Sequence, residues 1–312
     1  MSPTRTDPDQ DLGFRHEATF YDGRRRFVSA TAPFIREGLA TRERILVVLT
    51  PDKIGALQDE LGSQAGDVTF ADMTEIGRNP ARIIPAWQDF LVDADGAGVR
   101  GVGEPIWAGR SPDALIECER HEALLNVAFE GGRPWRLLCP YDERTLDAGT
   151  LREARRNHPI LHSGDATTAS ATYPGVVALG STTGEPLSPA PRDAASISFA
   201  GKALGDVRTF AESFAASSGF RGRSGDVRLV AQELISNGVR HGGGRGTLRM
   251  WIQGDSLVVD VRSHEQIVDP LAGRHRPIAD AGGYGLWIVN RLADLLQIRN
   301  DSVGSTVRAH FC

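Results

Sequence analysis

The sequence contains very little lysine and few cysteines. Lys53 and Lys202 are the only lysines among its 35 basic residues, and neither ends a Gly-x-x-x-x-Gly-Lys-Ser/Thr loop, so a P-loop nucleotide site is excluded. The cysteines, Cys118, Cys139 and Cys312, are odd in number and far apart. This pattern argues against a domain held together by disulfides.

Long hydrophobic runs and basic stripes are also missing. No apolar run reaches the length of a membrane span, and the run at 45–49 (ILVVL) has the length of a buried strand. The first residues, MSPTRTDPDQD, lack the apolar core of a signal peptide, so we expect a cytoplasmic protein that does not associate with membranes. The net charge is −5 and neither half carries a basic stripe, so no direct contact with nucleic acid is expected.

The 312 residues suggest two domains, and the composition divides the chain accordingly. Residues 1–13 read as a flexible tail. Residues 14–162 alternate five strand-like with five helix-like segments, which predicts an α/β domain with a mostly parallel sheet. Residues 163–192 are rich in Ala, Thr, Ser, Pro and Gly and read as a linker. Residues 193–312 predict an α+β domain.

The α+β domain is expected to hold two features of interest. Residues 247–254 and 256–263 predict a hairpin that turns at Gly254 and Asp255. The next 20 residues, 264–283, show no clear periodicity before a helix predicted from Gly285. A stretch of that length without regular structure is unusual in a compact domain and is often a functional lid.

Residues 227–242 predict one amphipathic helix with an unusual polar edge. Glu233, Asn237 and His241 stand four residues apart, so their side chains line up along that edge. A carboxylate and a carboxamide arranged in this way can hold Mg²⁺, which prefers oxygen ligands, and can polarise a hydroxyl. The structural alternative is a solvated helix edge, and His241 is more simply explained as a residue that favours the helix dipole.

A glycine-rich turn, 282–285, leads directly into the last predicted helix. Glycines at a helix start allow backbone N–H groups to approach a phosphate, although a plain loop-to-helix turn has the same composition. In the predicted lid, Arg274, His275 and Arg276 could meet a γ-phosphate or remain in solvent. Both alternatives stay open for these two segments.

Four segments of this half resemble the histidine-kinase-like ATPase superfamily. ELISNGVRHG, the predicted lid and GGYGLWIVNRLAD resemble its N-box, ATP lid and G2 box, and GSTVRAHF resembles its closing strand. Within that superfamily they look most like bacterial anti-sigma-factor serine/threonine kinases. The resemblance covers residues 193–312 and implies a Bergerat-type (GHKL) sandwich that binds ATP and Mg²⁺.

The resemblance also implies roles for individual residues. Asn237 would coordinate Mg²⁺, and Glu233 would be the catalytic base that activates a serine or threonine hydroxyl. The residues implied to bind the nucleotide are Asn237, Ser263, Arg274, Gly283, Gly285 and Leu286.

The sequence departs from that family at the end of the second hairpin strand. The family has Asp-x-Gly there, with the Asp bound to the adenine amino group, whereas this chain has Ser263 and Glu265 at the two positions. Loss of a charge-assisted hydrogen bond predicts ATP binding weaker by about ten- to a hundred-fold. The alternative to a kinase is therefore a catalytically inactive pseudo-kinase that sequesters a protein partner.

The N-terminal half has a resemblance of its own. RHEATFYD, IREGLATRERILVVLT, ECERHEALLN and LLCPYDERTLD look like the MEDS sensory domain found in a dichloromethane-responsive repressor. The resemblance implies a sensory role and a RecA-related fold over residues 14–162, without the phosphate loop that would bind a nucleotide. Candidates for binding a small-molecule signal lie where parallel strands would end, with core packing as the alternative: Tyr21, Glu104, Trp107 and Tyr141.

Histidines and cysteines also cluster in this predicted domain. A zinc or haem site could be assembled from them, but no CxxC pair is present, so buried free thiols and scattered histidines are favoured. The residues are His16, Cys118, His121, Cys139, His158 and His162.

Together these observations predict a cytoplasmic signalling regulator. Its sensory domain would control an anti-sigma-factor kinase-like domain that switches between a sigma factor and an anti-sigma-factor antagonist, and so regulates transcription. The inactive binding module is the first alternative, and a small-molecule receptor whose output is only dimerisation is the second. A homodimer is expected from the resemblance.

Overall fold

The computed structural model describes residues 13–164, 166–180, 186–200, 204–277 and 283–312. The chain divides into two compact units, Met1–Glu75 with Asp89–Gly180, and Ile76–Gln88 with Ser181–Cys312. Several sequence predictions fall outside the described residues. These are nearly all of the 1–13 tail, part of the linker at 181–185, and the lid segment 278–282, which includes Gly282.

A seven-stranded sheet forms the centre of the first unit, in the order β3-β2-β4-β5-β1-β6-β7. All neighbouring strands are parallel except the antiparallel pair β6 and β7. The prediction of a mostly parallel sheet is confirmed, and the sheet is two strands wider than expected. The strands are β1 (Phe14–Tyr21), β2 (Arg44–Leu49), β3 (Val68–Asp72), β4 (Val99–Gly103), β5 (Trp135–Asp142), β6 (Ile160–Ser163) and β7 (Ala166–Ala169).

Helices alternate with these strands, as the sequence predicted for a parallel α/β arrangement. A core of buried apolar residues lies between the sheet and its helices and includes Phe27, Ile35, Val47, Leu57 and Val102. The helices in this part of the chain are α1 (Gly23–Ala40), α2 (Pro51–Leu61), α3 (Met73–Ile76), α4 (Ile83–Asp93), α5 (Pro112–Ala128), α6 (Ala148–Asn157) and α7 (Val176–Gly180).

The second unit contains a five-stranded antiparallel sheet in the order β11-β12-β10-β9-β8. Gln253 pairs with Ser256 across the turn at Gly254 and Asp255, which confirms the predicted hairpin. The sequence did not predict β8. The strands are β8 (Ala195–Ala200), β9 (Arg245–Gln253), β10 (Ser256–Ser263), β11 (Leu295–Asp301) and β12 (Gly304–Phe311).

Three helices cover one face of this sheet: α8 (Leu204–Ser217), α9 (Ser224–His241) and α10 (Tyr284–Leu292). The apolar side of α9, with Val230 and Leu234, packs against alternate residues of the strands, such as Val259 and Val307. This arrangement buries one face of each element and confirms the predicted combination of helices with an antiparallel sheet.

A short stretch from the middle of the first predicted domain belongs to the second unit. Asn79 is fully buried there, and its Nδ2 donates to Oδ1 of Asn290 at 2.9 Å. Arg82 donates from Nη2 to the carbonyl oxygen of Ala293 at 2.7 Å. Because buried polar groups need partners, these bonds account for the placement of Ile76–Gln88 in the second unit.

Among the described residues, no helix is both long enough and apolar enough to pass through a bilayer.

Candidate functional site

The polar edge of α9 lies half-buried beside the sheet of the second unit. Leu234 and Gly238 of this helix are buried, whereas Glu233 and Asn237 are partly accessible and His241 is exposed. The apolar side anchors the helix in the core. The carboxylate of Glu233 and the carboxamide of Asn237 are therefore held one turn apart by a rigid element.

The glycine turn before α10 contacts this polar edge. Gly283 has φ 86°, a left-handed conformation that favours glycine, and α10 begins at the next residue. A Cβ placed on Gly285 would lie 2.9 Å from both Oδ1 and Nδ2 of Asn237 and 3.2 Å from Oε2 of Glu233. The close approach of these groups therefore requires the absence of a side chain at Gly285.

The end of β10 places Ser263 beside the C-terminal end of α9. Its Oγ lies 3.4 Å from Oγ of Ser305 on β12, and Ser305 Oγ donates to the carbonyl oxygen of Glu265 at 2.8 Å. A Cβ on Gly242 would come within 2.6 Å of Ser263 Cβ. A hydroxyl, not a carboxylate, therefore occupies the end of this strand, and it sits in tight packing.

The described part of the predicted lid is attached to α10. Oδ1 of Asp269 accepts from the backbone N–H of Leu271 at 2.9 Å, and Gly273 turns the chain with φ 74°. Buried Asn290 of α10 donates from Nδ2 to the carbonyl oxygen of Gly273 at 2.7 Å. Asn290 was not among the residues predicted from the sequence. The pattern that could have identified it is a polar amide beside the apolar Val289 on the buried side of a helix.

These elements surround a cavity of about 460 Å³. Its volume lies within the range of small-molecule sites in proteins, about 300–1,000 Å³. Of the predicted nucleotide-binding residues, the structure places five on its lining: Asn237, Ser263, Gly283, Gly285 and Leu286.

Two other predicted site residues are not on that lining. Glu233 lies next to it, against Gly285. Arg274 is 4% exposed, and its backbone N–H donates to the carbonyl oxygen of Leu271 at 2.7 Å, which closes a turn and places the residue in the interior. The adjacent His275 and Arg276 line the cavity instead, and Arg276 supplies a positive charge there.

The two ends of the cavity differ in chemistry. The glycine turn offers the N-terminus of α10, which favours an anion, together with the oxygen atoms of Asn237 and Glu233, which suit a hard cation. At the other end, Leu234, Val261 and Val307 supply apolar surface around the hydroxyl of Ser263. A phosphate with a divalent cation fits the end at the glycine turn. The end at Ser263 suits a planar apolar group, and it offers that group a hydroxyl but no buried carboxylate.

In the first unit, two of the four residues predicted to bind a small molecule are linked by a hydrogen bond. Tyr21 donates from its hydroxyl to Oε1 of Glu104 at 2.7 Å, and Lys53 donates to Oε2 at 2.5 Å. Burial raises the pKa of Glu104 to about 7, against the opposing charge of Lys53. Of the four, Tyr21 alone lines the nearby cavity of about 710 Å³, while Tyr141 is buried and Trp107 stacks on a neighbouring arginine.

Comparison with known families matches both parts of the chain. The two family matches combine a sensory domain with an ATPase-type domain, an architecture typical of signalling regulators. Residues 15–159 match the MEDS family, described as the methanogen/methylotroph DcmR sensory domain, and residues 198–311 match the histidine kinase-like ATPase domain. The predicted resemblances to the MEDS domain and to the histidine-kinase-like ATPase domain are confirmed. None of the curated proteins compared with the chain matches it.

Proposed function

We propose that the cavity of the second unit binds ATP with Mg²⁺, in a Bergerat-type fold. The observation that supports this most strongly is the contact of Asn237 and Glu233 with Gly285. A side-chain-free glycine at a helix N-terminus, opposite oxygen ligands on another helix, is an arrangement suited to a phosphate and its cation.

Each residue near the glycine turn has a role in this proposal. In this proposal the carboxamide oxygen of Asn237 would hold Mg²⁺, and the backbone N–H groups of Gly285 and Leu286 would bind the phosphates. Asn290 fixes the base of the lid through Gly273. When bound, ATP supplies a phosphoryl group that can be transferred. Glu233, one turn from the metal ligand, accepts the proton of the attacking hydroxyl.

The proposed biological role is that of an anti-sigma-factor serine/threonine kinase-like regulator of transcription. Its partners would be a sigma factor or an anti-sigma-factor antagonist, whose serine or threonine hydroxyl is the phosphoryl acceptor. The MEDS domain, with a RecA-related fold, would respond to a small-molecule signal and bias the state of the ATPase domain. The family resemblance also supports assembly as a homodimer.

A second candidate function is a binding module without catalysis. Ser263 supports it, because a neutral hydroxyl at the strand end provides a weaker hydrogen bond to an amino group than a carboxylate does. Glu265, which lines the same cavity, adds a negative charge there. In this alternative the domain sequesters its protein partner and has no phosphoryl transfer.

Isothermal titration of the full chain with Mg·ATP tests the proposal. The expected result is saturable binding that Asn237→Ala abolishes, because the metal ligand is lost. Gly225→Ala is the matched control in α9, since a Cβ there meets no atom within 4 Å, and its affinity should equal that of the original chain. Absence of binding at millimolar ATP would contradict the proposal and favour the binding module.

Ser263→Asp separates the two functions further. If adenine lies at this end of the cavity, the restored carboxylate should tighten ATP binding by about tenfold, since one charge-assisted bond contributes about 1.5–3 kcal/mol. An unchanged or weaker affinity in a variant that folds normally would show that the base does not contact position 263. Transfer of labelled phosphate to a purified antagonist protein would then decide whether the domain is a kinase.

A further inference from the structure

Four buried side chains of the first unit converge on one point. His16 comes from β1, Cys139 from β5, Glu122 from α5, and His158 follows the end of α6. Each is at most 1% exposed. One donor atom from each residue lies within 4.8 Å of every other, which makes this the one such group of potential metal ligands in the described part of the chain.

The hydrogen-bond network assigns the tautomer of the His158 ring. Its Nδ1 lies 2.7 Å from the carbonyl oxygen of Ala154, which can only accept, so Nδ1 carries the proton. In this tautomer Nε2 carries the lone pair that can bind a metal ion. It lies 3.1 Å from Oε2 of Glu122.

The His16 ring is fixed in the same way. Asn126 donates from Nδ2 to the carbonyl oxygen of Asn157 at 2.8 Å, so its Oδ1 is the acceptor that faces Nδ1 of His16 at 3.3 Å. Nε2 of His16 is then also without a proton. It lies 3.2 Å from Oε2 of Glu122 and 3.4 Å from Sγ of Cys139.

Two imidazole lone pairs therefore face the same carboxylate oxygen inside the core. The Tyr141 hydroxyl and the Cys139 thiol also lie within hydrogen-bonding reach of the Glu122 carboxylate. Burial of a carboxylate and of two imidazole lone pairs that face it is costly, because each of these groups loses its water. A cation among the four atoms would satisfy all of them at once.

We propose that His16, Glu122, Cys139 and His158 bind a divalent transition-metal ion of the Zn²⁺ class. Ligands bonded at about 2.0–2.2 Å to a tetrahedral zinc ion lie about 3.3–3.5 Å from one another, close to the three separations given above. The acceptors at the Nδ1 positions of both rings are the outer partners that metal-bound histidines usually have. Cys139 binds as a thiolate and releases its proton to water.

The donor set and its burial indicate the type of site. Two imidazoles, one thiolate and one carboxylate suit zinc, and they suit magnesium or calcium poorly because those ions prefer oxygen. All four tetrahedral positions are supplied by the protein, so the site is closed, as in structural metal centres. The ion would join two neighbouring strands to α5 and to the end of α6.

The first test measures metal in the full chain purified without chelator. Elemental analysis is expected to find one zinc per chain. After chelation, Co²⁺ added in its place should give the visible absorption of a tetrahedral ion and a thiolate-to-cobalt charge-transfer band. Absence of bound metal together with absence of this band under excess Co²⁺ would overturn the proposal.

Two cysteine variants provide the matched comparison. Cys139→Ala removes a ligand and should weaken metal binding by at least about 100-fold, since even loss of an outer partner costs about 10–100-fold. Cys118→Ala also removes a buried thiol, but Cys118 lies outside the group and bonds the carbonyl oxygen of Pro105, so its metal content should equal that of the original chain. Equal binding by both variants would overturn the proposal.

A variant outside the ligand set covers the case in which Cys139→Ala does not fold. Asn126→Ala removes the acceptor for His16 and should lower the metal affinity by about 10–100-fold while the charge-transfer band remains. An unchanged affinity in that variant, combined with a spectrum that lacks the thiolate band in the original chain, would assign the metal to another place.

Discussion

Two helices of this protein carry a glutamate close to a second polar ligand, and their surroundings differ. Glu122 of α5 is 1% exposed and lies 3.1–3.2 Å from the Nε2 atoms of two buried histidines, His16 and His158. Glu233 of α9 is partly accessible and lies beside Asn237 at the edge of an open cavity. A fully desolvated group requires a permanent partner, whereas a half-buried group can exchange its ligand with solvent. The difference indicates a resident ion in the first unit and an exchangeable ligand in the second.

Metal removal should affect the first unit alone. With free Zn²⁺ at 1,000 times its dissociation constant, the free energy of unfolding of this unit should exceed that of the chelated protein by about 4 kcal/mol. Differential scanning calorimetry with and without chelator measures the change. The control is the transition of the second unit, which should not move. A shift of that transition, or an unchanged first one, would contradict the comparison.

Glu17 is a second buried carboxylate of the first unit, and it is paired with a charged arginine. Burial alone would raise the pKa of Glu17, but hydrogen bonds from His162 and Arg136 lower it to about 2. The resulting stability, about 3 kcal/mol, is present above the ordinary pKa of 4.5 and is lost as the pH falls from there towards 2. Glu17→Gln should therefore lose about 3 kcal/mol at pH 7.

Urea unfolding of both proteins between pH 2 and pH 7 checks the sign of this effect. The two free energies of unfolding should converge as the pH falls, because protonation removes the charge from Glu17 in the original chain. Parallel profiles for the original chain and Glu17→Gln would show that the carboxylate contributes no charge-dependent stability.

The variant Asn290→Ala tests how firmly the lid is attached to α10 at Gly273. Asn290→Ala removes the donors to the carbonyl oxygens of Gly273 and Ala81 and leaves both without that bond. Loss of partners for buried polar groups should cost about 1–3 kcal/mol in the free energy of unfolding of the second unit. Urea unfolding measures this cost. An effect below about 0.5 kcal/mol would mean that water replaces the amide there.

The smallest expected effect concerns Gly285. A Cβ at this position would overlap the amide of Asn237, so Gly285→Ala should displace that side chain and weaken Mg·ATP binding by about tenfold, or about 1.4 kcal/mol. Titration calorimetry measures the change, with Gly225→Ala as the control. If the alanine at position 285 leaves the affinity unchanged, Asn237 does not hold the metal of a bound nucleotide.

The sequence could predict the second site better than the first for a physical reason. Glu233 and Asn237 share one helix, and helical geometry alone fixes their spacing, while glycines mark the turn at Gly283 and Gly285. The residues His16 and His158 lie at opposite ends of the first unit's sequence, and only the pairing of β1 with its neighbours and the packing of two helices bring them together. Local patterns therefore indicated the cavity. The sequence named His16, Cys139 and His158 only among scattered histidines and thiols, and tertiary contacts bring these three together with Glu122.

The same limit applies to the fold. The alternation of strands and helices was sufficient to predict a mostly parallel sheet. The strands β6 and β7 were missed because each has only four residues and carries little hydrophobic periodicity. The strand β8 was missed although Ile197 and Phe199 alternate with serines. The transfer of Ile76–Gln88 to the second unit depends on the amide of Asn79, and no local pattern indicates its partner.

Hydrogen–deuterium exchange with and without Mg·ATP tests the central claim about the cavity most directly. At saturating nucleotide, we expect slower exchange in peptides from α9, from residues 265–277 and from the start of α10. Peptides from β1 and β5 of the first unit should exchange at an unchanged rate. Protection of the first unit's strands without protection of α9 and α10, or no protection at all, would contradict the account.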